Sequence, residues 1–198
     1  MKNKISYILA SGSPRRKEIL TRIGIPFELM VSEISEDHEE RVPDRIVSEL
    51  SRRKALAVAD LCGDMEGAVL VIGADTLVAL DGVVLGKPVD RADSERMIRM
   101  LSGKAHQVYT GVTMVLLPQK EIRTFWERTD VHVKELSEEE IRSYVDSGEG
   151  DDKAGAYAIQ GAFGAYISAF AGDYDNVVGF PAQRFLREKE VFLNEFGL

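Results

Sequence analysis

The sequence has few of the residue types that several common kinds of active site require. It contains one cysteine, Cys62, and three scattered histidines among 198 residues. A lone cysteine cannot form an intrachain disulfide, and no Cys/His spacing typical of a zinc site is present. The Gly-x-Ser-x-Gly elbow and the Walker lysine motif are absent as well. We expect Cys62 to pack in the core, and the histidines to be surface or sheet residues without a catalytic role.

Positive charge and long apolar runs are also scarce. The chain has 25 Lys and Arg against 33 Asp and Glu, a formal net charge of −8. Binding to nucleic acid polymers or to anionic membranes needs a continuous positive surface, so both are disfavoured. The apolar run nearest a terminus, residues 5–10, is too short for a membrane span or a signal sequence, which predicts a cytoplasmic protein. Any anionic ligand must therefore be held by a local cluster of cations.

Helical and strand patterns alternate along the chain, without an internal repeat or an obvious linker. This order predicts a single α/β domain over residues 1–198, with a mixed, twisted, largely antiparallel sheet flanked by helices. Asp81-Gly82 is a strong hairpin signal. Predicted helices cover 14–23, 44–62, 90–101 and 137–147, with a last helix opening at Pro181; predicted strands cover 5–10, 27–31, 68–80, 83–85, 107–117, 121–133 and 165–170.

The first strand leads into Ser11-Gly12-Ser13-Pro14-Arg15-Arg16 at a helix start. Ser13 is a preferred N-cap, and Pro14 fits the first helical position. Helix N-terminal amides, serine hydroxyls and forked guanidinium groups are all suited to phosphate. The pattern predicts an anion site. The alternative is a capped helix with two solvated arginines and no ligand, which would have the same sequence pattern.

Two lysines follow at informative places. Lys54 falls within the apolar stripe of the long helix, where a lysine is unusual. Its ammonium either extends past the core into solvent or points into a cleft at the helix edge. Lys87 lies in Gly86-Lys87-Pro88 at the end of the hairpin, a position that brings it near Asp75 in space.

Asp75 interrupts an apolar run over residues 69–80. A buried, unpaired carboxylate is costly, so Asp75 needs an explanation. A metal ion, a role as general base, or a turn-forming Asp75-Thr76 pair each accounts for it. The chain thus offers cationic side chains for phosphate and carboxylates for a hard divalent ion. This combination suits a phosphate-containing ligand bound together with Mg²⁺ or Mn²⁺.

Six motifs, in order along nearly the whole chain, resemble the signatures of the Maf family of nucleoside triphosphate pyrophosphatases. They are Leu9-Ala10-Ser11-Gly12-Ser13-Pro14-Arg15-Arg16, Gly73-Ala74-Asp75-Thr76, Gly86-Lys87-Pro88, His106-Gln107-Val108-Tyr109-Thr110-Gly111-Val112, Asp152-Lys153-Ala154-Gly155-Ala156-Tyr157 and Asn176-Val177-Val178-Gly179. The resemblance implies an inosine-triphosphatase-like fold with a cleft between two lobes. It also implies metal-dependent hydrolysis of a nucleoside triphosphate to the monophosphate and pyrophosphate, a house-cleaning activity on the nucleotide pool.

The resemblance further implies roles for single residues. Asp75 matches the proton acceptor of the family, and Glu36 matches an acidic residue, so both are candidate metal ligands. The family pattern at that acidic position is Asp-x-Asp-Glu, whereas this chain has Glu33-Ile34-Ser35-Glu36, and Ser35 removes one carboxylate. The candidate phosphate-binding residues are Ser11, Ser13, Arg16, Lys54 and Lys87.

Subclass follows from three positions. Arg15, Thr76 and Gln160 match members that act on dTTP and UTP, and members that act on 7-methyl-GTP differ there. Gln160 can both donate to and accept from the carbonyl and N–H edge of a pyrimidine. The alternatives are a 7-methyl-GTP enzyme or a non-catalytic nucleotide-binding regulator, since the family is also associated with inhibition of septum formation. A homodimer is implied by the resemblance alone.

Overall fold

The computed structural model describes residues 5–63, 65 and 67–198. Six helices and seven strands alternate along this part of the chain, with two short 3-10 helices at Ala154–Ala156 and Ala162–Tyr166. The helices are α1 (Pro14–Arg22), α2 (Pro43–Leu61), α3 (Arg91–Leu101), α4 (Glu138–Asp146), α5 (Tyr174–Val178) and α6 (Ala182–Glu195). The strands are β1 (Ile5–Leu9), β2 (Glu28–Leu29), β3 (Ala68–Leu80), β4 (Val83–Leu85), β5 (Ala105–Leu117), β6 (Glu121–Val133) and β7 (Ile167–Ala171).

The strands form one seven-stranded mixed sheet in the order β2-β1-β3-β5-β6-β7, with β4 paired to β3. β1 runs parallel to β2 and β3, and every other pair is antiparallel. The prediction of a mixed, largely antiparallel sheet flanked by helices is therefore confirmed. None of the helices in the described residues is both long enough and apolar enough to cross a membrane.

The sheet forks along one edge of β3. Residues 68–72 of β3 pair with β1, and residues 78–80 pair with β4. In the described ladders, residues 73–77 have no strand beside them on this edge, while the opposite edge pairs continuously with β5. The fork therefore opens a gap in the sheet at Asp75 and Thr76.

Successive residues of β3 face opposite sides of the sheet, and the two sides are covered differently. One face is covered by α2, which packs against Val71 at one end and Leu77 at the other. The other face carries two apolar clusters, one around Ile72 with α1 and α6, and one around Leu80 with α3 and α4. The predicted cleft between two lobes corresponds to the space between these clusters, at the fork.

α2 lies unusually close to the sheet because two glycines face it. A Cβ atom added to Gly73 would lie 2.7 Å from the amide nitrogen of Ala55 and 2.8 Å from its Cβ atom. At Gly111 of β5, opposite Asp75, an added Cβ would overlap the carbonyl oxygen of Val47. Backbone of the helix therefore contacts backbone of the sheet, which brings Lys54 to the level of the fork.

Most predicted boundaries are confirmed within one or two residues, and the exceptions are local. The strand predicted over 27–31 is reduced to Glu28–Leu29, and the strand predicted over 165–170 begins as a 3-10 helix before β7. The five-residue helix α5 had no predicted counterpart. Ser13 occupies the N-cap position of α1 and Pro14 follows it, as predicted, although the Ser13 side chain makes no capping hydrogen bond.

The predicted locations of the cysteine and the three histidines are confirmed. Cys62 is buried next to Val58 and Ala59, and burial raises the pKa of its thiol. His106 and His132 lie in β5 and β6, while His38 is exposed in the segment before α2.

Replacing Gly73 with alanine tests the contact between α2 and the sheet. The added methyl group must displace α2, so we expect Gly73→Ala to lower the free energy of unfolding by about 1–3 kcal/mol. Urea unfolding measures this loss. Gly86→Ala is the matched control, because a Cβ atom there meets nothing within 4 Å. Equal stabilities for the two variants would contradict the close packing.

Candidate active site

A cavity of about 760 Å³ opens at the fork of the sheet. Its volume is in the range typical of small-molecule sites. All ten residues that the sequence singles out as functional line this cavity, and their individual roles stay predictions. These residues are Ser11, Ser13, Arg15, Arg16, Glu36, Lys54, Asp75, Thr76, Lys87 and Gln160.

Arg16 of α1 is held rigidly at the floor of the cavity. Its Nε donates to the carbonyl oxygen of Gly179 at 3.0 Å, Nη1 to Ser11 Oγ at 3.1 Å and Nη2 to Thr76 Oγ1 at 3.0 Å. These contacts use one N–H on each nitrogen, so Nη1 and Nη2 each keep a second N–H. Burial lowers the pKa of Arg16, and the charge of Asp75 opposes that shift. Three hydrogen bonds within the protein thus orient the guanidinium, and two of its N–H groups have no partner among the described residues.

Thr76 lines the cavity, but its hydroxyl is hydrogen-bonded to other residues of the protein. Besides accepting from Arg16, its hydroxyl lies 3.0 Å from Thr110 Oγ1 on the opposite strand. Thr110 in turn donates to the main-chain carbonyl of Asn176 at 3.1 Å, and the Asn176 amide group donates to Val108 and Thr129. A chain of hydrogen bonds therefore links Arg16 through the sheet to α5.

Asp75 faces the other side of β3, where α2 supplies Lys54. Lys54 Nζ lies 2.5 Å from Asp75 Oδ1 and 2.7 Å from Glu36 Oε1. Lys54 and Asp75 are largely buried, at 16% and 12% side-chain exposure, while Glu36 is 57% exposed. The hydrogen bond from Lys54 lowers the pKa of Glu36, and the charges of Lys87 and Arg16 act in the same direction. Of the two interpretations of Lys54, the structure supports the cleft.

The remaining predicted residues lie nearer the cavity mouth. Lys87 and Gln160 are exposed, and Arg15 and Ser13 are half-buried. The Ser13 amide donates to Ser11 Oγ at 3.3 Å, which closes the turn before α1. The structure thus separates Arg16, fixed at the floor, from Arg15 and Gln160, whose side chains are available to the part of a ligand that extends outward.

The loop over residues 152–160 forms one wall of the cavity. Gly155 donates its amide to Gly86 at 3.0 Å, which joins this wall to the segment that carries Lys87. Behind the wall, Tyr157 Oη lies 2.7 Å from Nε2 of the fully buried His106. Burial lowers the pKa of His106 to about 4, so the imidazole is neutral at physiological pH.

The donor set at the cavity fits a hard divalent cation. Asp75 and Glu36 converge on one ammonium group, and Mg²⁺ is commonly held by one or two carboxylates together with phosphate oxygens of a substrate. Within the described residues there is no group of three or more His, Cys, Asp and Glu side chains placed to hold a metal. Phosphate oxygens and water would therefore supply the other ligands.

Several residues of the site are not identified as functional by the sequence alone. Thr110, Asn176, Tyr157 and His106 all lie inside the quoted motifs, but nothing local in the sequence shows which of them face each other. Pairing of β3 with β5 places Thr110 opposite Thr76. Both threonines lie on long predicted strands, but no local signal sets the register between these strands. The contacts of Asn176 and His106 likewise depend on distant elements.

Known proteins with similar sequences were found over almost the whole chain. The family model for Maf-like protein matches residues 6–190. The dTTP/UTP pyrophosphatase of Lachnoclostridium phytofermentans is 45% identical over 188 residues, covering 93% of this chain and 94% of that protein. The protein of the same name from Agathobacter rectalis is 48% identical over 194 residues, covering 91% and 94%, and that from Bacillus anthracis is 47% identical over 186 residues, covering 93% and 94%.

Among solved structures, the nucleoside-triphosphatase / dITP/XTP pyrophosphatase from Mycobacterium abscessus aligns with a TM-score of 0.41 at 14% identity. The alignment covers 66% of this chain and 75% of that chain.

His106 makes stability depend on pH in a defined window. The unfolded chain protonates this histidine below about pH 6.5, but the folded protein does so only below about pH 4. Stability from this group is therefore present at pH 7 and is lost as the pH falls through that window. Between pH 7 and pH 5 we expect a loss of about 2 kcal/mol from His106 alone.

Urea unfolding at both pH values measures this loss. His106→Gln should lose about 2 kcal/mol less than the parent between pH 7 and pH 5, because glutamine does not titrate. His38→Gln, which removes an exposed histidine, is the control and should match the parent. The same loss in His106→Gln as in the parent would show that this histidine is not buried in its neutral form.

Proposed function

The chain belongs to the Maf-like family, and we propose that it hydrolyses nucleoside triphosphates, with dTTP and UTP as substrates, to the monophosphate and pyrophosphate. One observation carries the proposal: Lys54 joins Asp75 and Glu36 in the same cavity in which Arg16 keeps two free N–H donors. A site of this kind has acidic groups for chemistry beside cationic groups for an anion. The 45–48% identity to proteins named dTTP/UTP pyrophosphatase supports the choice of reaction and substrate.

The phosphate chain would lie along the cations of the cavity. The two remaining N–H groups of Arg16 are charged donors suited to phosphate oxygens. Ser11 fixes Arg16 and so acts on phosphate through it. Lys87, which is exposed, neutralises the leaving pyrophosphate together with Lys54, and Ser13 also lines the cavity.

Hydrolysis requires water to attack the α-phosphorus while the bond to the bridging oxygen breaks. Asp75 is the proton acceptor in our proposal: Oδ1 is held by Lys54, and Oδ2 takes the proton of the attacking water. The pyrophosphate then leaves with the electron pair of the broken bond. Lys54 keeps the Asp75 carboxylate oriented toward the α-phosphate and away from the core of the sheet.

Asp75 and Glu36 would hold a divalent cation, Mg²⁺ or Mn²⁺, which when bound supplies charge neutralisation to the triphosphate. Lys54 already draws these two carboxylates together. Ser35 cannot act as a further carboxylate ligand, although Glu33 of the same motif and Asp152 also line the cavity.

Base selection is assigned to the mouth of the cavity. Gln160 is exposed there, and its amide can donate to and accept from the edge of uracil or thymine. Arg15 lines the same region. Thr76, which the resemblance assigns to specificity, has its hydroxyl occupied by Arg16 and Thr110, so we propose that it acts on all triphosphates through the position of Arg16. A cytoplasmic location and a homodimer stay predictions.

The experiment that tests this function is an assay of pyrophosphate release from a panel of triphosphates. The panel should include dTTP, UTP, the other common nucleotides and 7-methyl-GTP, each with and without Mg²⁺ or Mn²⁺. We expect dTTP and UTP to be preferred and release to require the metal. Preference for 7-methyl-GTP would assign the other subclass, and no release from any nucleotide would favour the non-catalytic regulator.

Asp75→Asn tests the proton acceptor. The amide preserves shape but cannot accept the proton of water, so we expect turnover to fall by at least about a hundredfold. Nucleotide affinity, measured calorimetrically with a non-hydrolysable triphosphate analogue and without divalent cation, should stay close to that of the parent, because Asp75 is not one of the proposed phosphate ligands. Near-normal turnover would exclude Asp75 as the proton acceptor.

Gln160→Ala and Thr76→Val separate base selection from phosphate binding. Gln160→Ala should reduce the preference for dTTP and UTP over purine triphosphates, with a smaller effect on the best rate. Thr76→Val removes an acceptor of Arg16, so it should lower kcat/KM for all triphosphates by about tenfold, the effect of one lost hydrogen bond to a charged group. A uniform loss in Gln160→Ala, measured on the same panel, would contradict its assignment.

A further inference from the structure

Glu36 must be held at the cavity by a segment without regular structure. Residues 30–41 contain no helix or strand. Such a segment lacks the repeating main-chain hydrogen bonds that position side chains on a strand, so its conformation has to be maintained by other contacts. The single ion pair with Lys54 restrains the carboxylate but leaves the main chain around Glu36 to be fixed in some other way.

Arg53, the residue before Lys54 on α2, supplies those contacts. Its Nη2 donates to the carbonyl oxygen of Ser35 at 2.6 Å, and its Nη1 and Nη2 donate to that of Asp37 at 2.8 and 2.9 Å. These two carbonyl groups stand on either side of Glu36. Glu49, one turn earlier on α2, lies 3.5 Å from Nη1 and restrains the guanidinium.

The segment itself is shaped to be bound in this way. Ser35 Oγ donates to Asp37 Oδ2 at 2.8 Å and accepts from the Asp37 amide at 3.1 Å, which closes a tight turn around Glu36. The turn presents both carbonyl groups to one guanidinium. Ser35, which stands where the family pattern has a carboxylate, thus contributes to the turn that Arg53 binds.

We propose that Arg53 is a positioning residue that holds the main chain on both sides of Glu36 and so keeps the Glu36 carboxylate at Lys54 and Asp75. Two consecutive residues of α2 then hold Glu36. Arg53 binds the main chain on both sides of Glu36, and Lys54 binds the Glu36 carboxylate. This inference rests on the proposed function for its effect on rate. A planar fork is required because two carbonyl groups must be bound at once, which a lysine ammonium does less well.

The first test measures the segment and not the reaction. A glutamate-specific protease can cut after Glu33, Glu36, Glu39 and Glu40 once the segment opens. We expect Arg53→Ala to be cut in this segment at least about five times faster than the parent, and Arg53→Lys to fall between them. Arg52→Ala, which removes the exposed neighbouring arginine, is the matched control and should be cut like the parent.

The second test asks whether Arg53 acts through Glu36. We expect Arg53→Ala to lower kcat/KM for dTTP by about tenfold in the parent but by less than about twofold in a Glu36→Gln background, because the group being positioned is then absent. A purely structural role would give the same loss in both backgrounds.

The outcomes separate the two proposals. Unchanged cleavage in Arg53→Ala, or an equal loss of activity in both backgrounds, would overturn the role of Arg53. If the parent hydrolyses no triphosphate, the proposed function fails, and the protease arm alone then decides whether Arg53 holds the segment around Glu36.

Discussion

The candidate site depends on the contact of Lys54 with Asp75, and this contact depends on how closely α2 lies on the sheet. A charged carboxylate in the middle of a long strand is tolerated only with a partner nearby. Gly73 and Gly111 remove the side chains that would otherwise keep the helix away. The two motifs that contain these glycines therefore serve packing first, and through packing they serve the site.

The second organising feature is the alternation of side chains along β3 where the sheet forks. Because neighbouring residues face opposite sides, Asp75 meets Lys54 of α2 and Thr76 meets Arg16 of α1. Because β1 and β4 pair with different ends of β3, residues 73–77 between them are open to a ligand on this edge. A pair of adjacent residues thus couples the acidic groups on one face of the sheet to Arg16, the proposed phosphate ligand, on the other.

Much of the fold was predictable because long strands and capped helices have strong local signals. The hairpin at Asp81-Gly82 forms as predicted, and the helix predicted over 137–147 begins at a capping box of Ser137 and Glu140. The failures have local causes too: β2 is a two-residue edge strand, and the region after Gly161 turns into a 3-10 helix. The chemistry of the ten site residues indicated that they belong to one site. It did not indicate which other residues hold them in place by hydrogen bonds.

The sequence by itself determined which chemistry the chain can offer, because residue types and their order along helix starts and strand ends are local properties. It identified the cations, the isolated Asp75 and the family resemblance. Only the tertiary structure decided that Thr76 is bound to Arg16 and that Arg53 binds the main chain beside Glu36. These contacts join residues far apart in sequence through strand pairing and helix packing, and no local pattern specifies which distant group a hydroxyl or a guanidinium will meet.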